Sequence, residues 1–262
     1  MPNETISIAD YTPTKNALQD KIILVTGAGD GLGRSTALEF ARYGATIILL
    51  GKTQKKLESV YDEIEQQGSP QAVIMPMDLE KAGEENYQQL ASAIHENFKQ
   101  LDGLVLNAAI LGQHGPIVHT DLEQWTRCLQ VNLTANFLFL KHCAGLLNQA
   151  GRSAIVFVSD QVALHSRAYW GAYAATKSAC LNLMQTAQDE WESNTDIHLN
   201  SIDPGPMNTG MRRQAFPGAD PGQQPTAESA VLPFLYMMDS GHPWPNGKHF
   251  TWDSAAQILT EN

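Results

Sequence analysis

The sequence predicts an α/β fold, a single domain built on a doubly wound parallel sheet with helices on both faces. Three observations predict it. Short apolar strands alternate with longer helical patterns, as in parallel sheets with crossover helices. The strands show no polar alternation, which indicates a sheet covered on both faces. The first strand runs directly into a glycine-rich turn that opens a helix, a common ligand site on such sheets.

Six strands are predicted, each a short apolar run that ends near a glycine or a polar residue. In chain order they are KIILVTG from Lys21, ATIILLG, QAVIMPMD, DGLVLNAA, SAIVFVS and DIHLNSIDPG. The intervening helices are RSTALEFARYG, TQKKLESVYDEIEQQG, ENYQQLASAIHENFKQ and the long stretch 121–149. Glycines end the first two helices. Residues 1–20 are predicted to form an N-terminal extension, and residues 21–262 one domain.

Composition and charge exclude several classes of function. Seventeen basic and twenty-eight acidic residues give a net charge of −11, which disfavours nucleic acid and anionic membrane surfaces as partners. No apolar run approaches the ~18 residues that span a bilayer, and the N-terminus lacks the pattern of a secretory signal. The three cysteines, Cys128, Cys143 and Cys180, are predicted to be buried reduced thiols. We expect a cytoplasmic protein without a metal site.

The turn after the first strand has glycines that suit a dinucleotide. It runs Thr-Gly-Ala-Gly-Asp-Gly-Leu-Gly from Thr26. Glycines allow a tight turn and a close approach of backbone to a pyrophosphate, which the helix N-terminus then stabilises. A plain strand–helix turn is the alternative interpretation, but the alternating fold favours a Rossmann-like cofactor site. The predicted cofactor residues of this turn are Gly27, Asp30, Gly31, Leu32 and Gly33.

The spacing Thr-Gly-x-x-x-Gly-x-Gly resembles the cofactor turn of the short-chain dehydrogenases/reductases. Four more of that family's motifs follow in the family's order, so that the resemblance covers Lys21 to about Asp253. They are the turn Leu106-Asn107-Ala108-Ala109, the helical Asn132, the pair Tyr173-x-x-x-Lys177 and the segment Pro204-Gly205-x-x-x-Thr209. The first of these departs from the family's Asn-Asn-Ala-Gly at Leu106 and Ala109. The phrases WGAYAATK and MRRQAFP look most like a bacterial subgroup of YciK type.

The resemblance implies an oxidoreductase that interconverts a carbonyl and an alcohol by hydride transfer with NAD(P). Tyr173 and Lys177, spaced i and i+4, share one face of a predicted helix. A tyrosine with an ordinary pKa near ~10 is a poor acid–base group, and a nearby ammonium favours its phenolate. In the family the lysine also holds the nicotinamide ribose, and the asparagine, here Asn132, anchors a relay water. The other implied cofactor contacts are Asn107, Ala108, Ala109, Pro204, Gly205 and Thr209.

The family's catalytic serine has two candidates here. It most often stands thirteen positions before the tyrosine, where this chain has Asp160, whereas Ser159 stands at fourteen. Either the loop carries one extra residue and Ser159 supplies the hydroxyl, or a carboxylate has replaced the serine. An ionised carboxylate only accepts hydrogen bonds, and it raises the pKa of a nearby tyrosine. The spacing favours Asp160 and the chemistry favours Ser159, so both stay open.

The second strand predicts NADP in preference to NAD. An NAD enzyme usually has an acidic residue there for the ribose hydroxyls, but the strand ends in Gly51 followed by Lys52. Lys52 can pair with a 2′-phosphate, and a solvated surface charge is the less favoured alternative. Asp30 counts slightly against a second phosphate. Asp78 and Leu79, after the third strand, match the family's adenine contacts, and a helix cap is the alternative for Asp78.

The segment 208–226, NTGMRRQAFPGADPGQQPT, is predicted to be a structureless loop that covers the substrate. We expect a small carbonyl or alcohol substrate and a homodimer or homotetramer. Two other classes stay open. One is a non-catalytic nucleotide-binding sensor or scaffold, in which Asp160 has spoiled the site. The other is a methyltransferase. Gly51 disfavours it because such enzymes normally have an acidic residue at the end of the second strand.

Overall fold

A computed structural model describes residues 5–262 and contains one nine-stranded sheet. The strands are β1 (Thr5–Ser7), β2 (Ile22–Thr26), β3 (Thr46–Gly51), β4 (Val73–Pro76), β5 (Gly103–Leu106), β6 (Arg152–Val158), β7 (Asp196–Asp203), β8 (His249–Asp253) and β9 (Ile258–Glu261). Their spatial order is β1-β9-β8-β7-β6-β5-β2-β3-β4. β2 to β8 run parallel, whereas β9 pairs antiparallel with β8 and β1. The order reverses between β2 and β5, where the predicted cofactor turn leaves the sheet.

Helices cover both faces of this sheet. They are α1 (Gly31–Arg42), α2 (Gln54–Gln66), α3 (Glu84–Phe98), α4 (Leu122–Leu129), α5 (Ala135–Gln149), α6 (Gly171–Trp191), α7 (Gly210–Ala215) and α8 (Leu232–Met238). The apolar residues of α1, α2 and α8 share one hydrophobic core, and those of α3, α5 and α6 share a second core. The predicted doubly wound parallel sheet is therefore confirmed.

The absence of polar alternation follows from this double cover. In β2, Ile23 and Val25 face the first core, and Leu24 between them faces the second core. β3 repeats the pattern, with Ile47 and Ile48 on opposite faces. Because both faces of the strand are buried, every position favours an apolar side chain.

Three strands and one helix interruption were not predicted. β1, β8 and β9 extend the sheet at one edge, and Ile8 and Leu18 of the predicted N-terminal extension are buried in the first core. Residues 1–4 of that extension lie outside the described residues. The expected long helix over 121–149 is divided into α4 and α5 by a π-helical turn, Gln130–Thr134. This wider turn contains Asn132.

The three cysteines are buried and form no disulfide, as predicted from their helical segments. Burial raises the pKa of the Cys143 thiol to about 12, so that this side chain acts as a small apolar group. Within residues 5–262, no helix combines the length and the apolarity that a bilayer span requires.

Candidate active site

A cavity of about 740 Å³ lies at the carboxyl ends of the parallel strands. Its walls come from the segments that follow β2, β3, β4, β5, β6 and β7, together with α6 and α7. Ligands of open α/β sheets bind at this end. All the predicted site residues line the cavity except Gly33 and Asn132. Both lie behind its wall.

The glycine turn has the backbone that a dinucleotide needs. Gly27 and Gly31 have φ angles of +67° and +50°, which residues other than glycine rarely adopt. A Cβ on Gly33 would stand 2.4 Å from the Gly27 carbonyl oxygen, so that only glycine lets α1 pack against the turn. The N-terminus of α1 opens onto the cavity at Gly31 and Leu32. This cradle fits a pyrophosphate.

Thr26 fastens the turn to the neighbouring strand, a role that the sequence analysis missed. Its hydroxyl oxygen accepts from the backbone N–H groups of Asn107 and Ala108, at 2.9 Å each, and donates to the Val105 carbonyl. The Asn107 side chain donates to the Thr26 carbonyl oxygen at 2.8 Å. Asn107 and Ala108 thus hold the ends of β2 and β5 together where they line the cavity. The threonine at the start of the glycine turn was the available signal.

Acidic side chains surround Lys52 at the far end of the cavity. The Lys52 ammonium lies 3.4 Å from Asp78 and 3.8 Å from Glu80, and its side chain is 63% exposed. Glu80, which the sequence analysis did not single out, also pairs with Arg127 at 2.8 Å. Gly51 contributes no side chain here. Lys52 is therefore available to an incoming anion, which would loosen two long ion pairs whose lysine side chain is exposed and whose acidic side chains are partly buried.

Tyr173 and Lys177 project from one face of α6 into the opposite end of the cavity, and both side chains are buried. The Lys177 ammonium stands 5.5 Å from the centre of the Tyr173 ring and donates to the Val158 carbonyl oxygen at 2.6 Å. Burial lowers the pKa of Lys177. Burial raises the pKa of Tyr173 well above its usual value, and the Asp160 carboxylate raises it further. Tyr173 is therefore a phenol at neutral pH.

Of the two serine-position candidates, Asp160 is the one that contacts Tyr173. One Asp160 carboxylate oxygen accepts from the Val162 N–H at 3.0 Å, and the other accepts from the Tyr173 hydroxyl at 3.4 Å, a long hydrogen bond. Ser159 is buried, and its N–H continues the β6–β7 ladder to the Ile202 carbonyl at 2.7 Å. The Ser159 hydroxyl has no hydrogen-bond partner within residues 5–262.

Asn132 braces the wall behind this pair. Its side-chain oxygen accepts from the Ile110 N–H at 2.8 Å, and its amide nitrogen donates to the Ile110 carbonyl at 2.9 Å and to the Thr176 hydroxyl at 3.1 Å. The side chain thus joins the loop after β5 to α6, beside Tyr173. The π-helical turn presents Asn132 to both partners at once.

Aromatic rings form the outer wall beside Tyr173. The centre of the Trp170 ring lies 5.7 Å from both Tyr173 and Phe216, and the Arg212 guanidinium lies 3.8 Å from the centre of the Phe216 ring. The segment 208–226 supplies part of this wall. Its expected lack of regular structure is wrong, because Thr209 caps α7 by accepting from the Arg212 N–H at 3.2 Å, and Pro221–Gln223 form a 3₁₀ turn.

A family model described as short chain dehydrogenase matches residues 21–220 of the chain. The chain belongs to the short chain dehydrogenase family. It is therefore an NAD(P)-dependent oxidoreductase, and the interpretation as a non-catalytic sensor gains no support.

Three relatives illustrate this membership. The chain is 40% identical to the uncharacterized oxidoreductase YciK of Escherichia coli K12 over 87% of its own length and 90% of YciK, which confirms the predicted likeness to YciK-type proteins. A Shigella flexneri 2a structure in complex with NADP is 37% identical, with a TM-score of 0.87 over 92% of this chain and 100% of that chain. An Escherichia coli CFT073 structure in complex with NADPH is 39% identical, with a TM-score of 0.87 over 91% and 99%.

Asp203 is a further cavity residue of this short chain dehydrogenase that the sequence analysis did not predict. Asp203, at the end of β7, is buried and accepts from the Gly205 N–H at 2.9 Å. Burial raises its pKa, and the Asp160 charge raises it further. Its place immediately before Pro204-Gly205 was the available signal. Asp160 and Asp203 therefore give this end of the cavity two carboxyl groups beside one lysine.

Proposed function

We propose that the protein is an NADPH-dependent reductase that interconverts a small, largely apolar carbonyl compound with its alcohol. The observation that carries the proposal is the placement of Tyr173 and Lys177 in the same cavity as the glycine turn. A proton donor and a dinucleotide cradle that share one cavity are the parts that such a reaction needs. The apolar wall of Trp170 and Phe216 supports a substrate with an apolar body.

The residues present fit the cofactor. The backbone of Gly27, Gly31 and Leu32 would hold the pyrophosphate, and the Lys177 ammonium would hold the nicotinamide ribose with the donors that Val158 does not use. Ala109, Pro204, Gly205 and Thr209, all on the cavity wall, would frame the nicotinamide. When bound, the reduced cofactor supplies the hydride.

Tyr173 is proposed as the proton donor to the carbonyl oxygen. Its raised pKa keeps the phenol protonated, which suits a donor in the reductive direction. Lys177 offsets part of the negative charge that a phenolate would bring into the buried site. Asn132 positions α6 through Thr176. Asp160 is proposed to take the place of the family's serine, because it contacts the Tyr173 hydroxyl.

A purified-protein assay tests this function. We expect saturable loss of reduced-nicotinamide absorbance when NADPH is mixed with members of a panel of ketones, aldehydes and quinones. Product analysis by mass spectrometry should show the matching alcohol. Saturable NADPH binding without turnover on any member of the panel would contradict the proposal, because the cofactor cradle would then work without the chemistry.

NADP specificity is proposed to depend on Lys52. Replacing Lys52 with alanine removes a charge that can pair with the 2′-phosphate, and the KM for NADPH should rise about fivefold to tenfold. The KM for NADH should change little, because NADH lacks that phosphate. Lys55→Ala is the matched control, since Lys55 is exposed on α2 and does not line the cavity. Equal losses for NADPH and NADH would contradict this role.

The pH dependence of the reverse reaction tests the contact between Asp160 and Tyr173. Alcohol oxidation needs the Tyr173 phenolate, so its rate should rise with pH towards the raised pKa of Tyr173. Asp160→Asn removes a negative neighbour while Lys177, Asp203 and Cys128 remain. The pKa of Tyr173 should then fall, and the rising limb of the profile should move to lower pH. An unmoved limb would show that Asp160 does not act on Tyr173.

Location and assembly complete the proposal. Three buried cysteines without a disulfide suit a reducing cytoplasm. A homodimer or homotetramer is proposed along α5, where Phe137 is 46% exposed. The apolar residues Leu181, Met184 and Ala187 of α6 belong to the domain interior and do not contribute. Sedimentation of the wild type and of Phe137→Ser tests this assembly.

A further inference from the structure

The reacting end of the cavity holds a carboxylate where the family holds a hydroxyl donor. One Asp160 oxygen is fixed by the Val162 N–H at 3.0 Å, and the second faces the Tyr173 hydroxyl at 3.4 Å. The Ser159 hydroxyl at the same strand end is buried and makes no hydrogen bond within residues 5–262, to Tyr173 or to any other group. The site therefore places a strong acceptor, Asp160, beside the Tyr173 hydroxyl.

This arrangement works against a developing alkoxide. Hydride addition to a ketone places negative charge on oxygen, and a site stabilises that charge with donors. A carboxylate can only accept, and at this range two negative charges repel strongly in a buried site. Asp160, Asp203 and Lys177 all line this cavity, and both carboxyl groups interact with the Lys177 charge. The positive charge of Lys177 at the substrate oxygen is therefore opposed by these two groups.

The same arrangement favours a substrate that arrives positively charged. A protonated imine carries an N–H donor and a positive charge at the atom that corresponds to the carbonyl oxygen, and a carboxylate binds such a group by a charge-assisted hydrogen bond. Its reduction also requires no proton from Tyr173. The phenol, whose ionisation the buried site opposes, keeps its proton throughout.

We propose that this site reduces the C=N bond of cyclic imines, with Asp160 holding the protonated nitrogen, and that it does so faster than it reduces matching ketones. The inference rests on the proposed reductase function. The iminium carbon accepts the hydride that the oxidoreductase activity supplies, and the π electron pair of C=N moves onto nitrogen. The N–H proton stays, the product leaves as a neutral secondary amine, and the reduced nicotinamide becomes oxidised.

The cavity suits a bicyclic imine. Trp170 and Phe216 lie 5.7 Å apart between ring centres and line the cavity next to Tyr173. An aromatic ring fused to the imine ring can pack against them. Dihydroisoquinoline is such an imine, and tetralone is the ketone of matching size. Their products, tetrahydroisoquinoline and tetralol, differ in charge because the free amine takes up a proton at neutral pH.

Equilibrium binding tests the charge preference without turnover. By calorimetry on the protein without added nucleotide, the tetrahydroisoquinolinium ion should bind about tenfold tighter than tetralol. Asp160→Ser should remove this preference, whereas Asp160→Asn, which keeps the shape of the side chain, should reduce it. Asp121→Ser is the matched control, because Asp121 caps α4 and lies outside the cavity. Equal affinity of the wild type for both compounds would overturn the inference.

Turnover with NADPH then separates this inference from the proposed function. The wild type should show a kcat/KM for dihydroisoquinoline at least about tenfold above that for tetralone, and Asp160→Ser should invert the ratio. Faster reduction of tetralone by the wild type would overturn the imine preference and leave the reductase function intact. Imine reduction that is unchanged in Asp160→Ser would overturn the role of Asp160. Reduction of neither compound by the wild type or by Asp160→Ser would count against both proposals.

Discussion

Replacing Tyr173 with phenylalanine is expected to lower kcat for carbonyl reduction by about a hundredfold to ten-thousandfold, the contribution typical of a positioned general acid. The ring stays, so the packing against Trp170 and the Lys177 ammonium is kept. Only the hydroxyl that would protonate the carbonyl oxygen is lost. The measurement is NADPH oxidation at saturating carbonyl substrate, together with the KM for NADPH.

Tyr61→Phe is the matched control for this change. Tyr61 lies on α2, and its hydroxyl accepts one exposed hydrogen bond from Gln71 at 2.8 Å. Both variants should bind NADPH with the wild-type Kd, and only Tyr173→Phe should lose turnover. Retention of carbonyl reduction within about threefold of the wild type would contradict the acid role of Tyr173, because a loss that small is ~0.6 kcal/mol of the barrier.

The parts of the fold that were predictable are those that short-range patterns determine. The run Ile22–Thr26 is apolar at each of its first four positions because both faces of β2 are covered. Tyr173 and Lys177 share a helix face because they are four residues apart. Gly27, Gly31 and Gly33 indicate a turn in which any other residue at these positions would strain the backbone or clash with it. Each of these follows from a spacing that the chain itself displays.

Such patterns could not predict whether Ser159 or Asp160 contacts Tyr173. Neighbouring residues at the end of β6 point to opposite sides, so the answer depends on where the strand stops and on how the next turn begins. The Asp160 carboxylate caps that turn through the Val162 N–H, which directs its second oxygen towards Tyr173. This is a tertiary relation across thirteen residues, and the spacing to Tyr173 alone does not determine it.

The edge strands and the surroundings of Lys52 escaped for a related reason. β8 and β9 pair across only a short turn, but their placement depends on β7 and on β1, which are distant in sequence. The sequence analysis predicted that Lys52 can pair with a 2′-phosphate. It did not predict that Asp78 and Glu80 flank Lys52. Those acidic residues belong to the segment after β4. Only the parallel pairing of β3 with β4 brings the two segments together.

Replacing Gly33 with alanine is expected to damage both the fold and the cofactor cradle. The new Cβ would stand 2.4 Å from the Gly27 carbonyl oxygen and 2.5 Å from the Asn107 amide nitrogen. The first of these is backbone and cannot rotate away, so α1 must move off the turn. Overpacking of this kind costs about 1–3 kcal/mol, or a fall in Tm of roughly 2–12 °C for a domain of this size.

The displacement of α1 also moves the N–H groups that would hold the pyrophosphate. The Kd for NADPH should therefore rise even under conditions where the variant is fully folded. Gly145→Ala is the matched control, since Gly145 is exposed on α5 and a Cβ there meets no atom within 4 Å. It should keep the NADPH affinity and gain up to about 1 kcal/mol of stability, the helix preference of alanine over glycine. An unchanged Kd in a destabilised Gly33→Ala would mean that the turn binds the cofactor without support from α1.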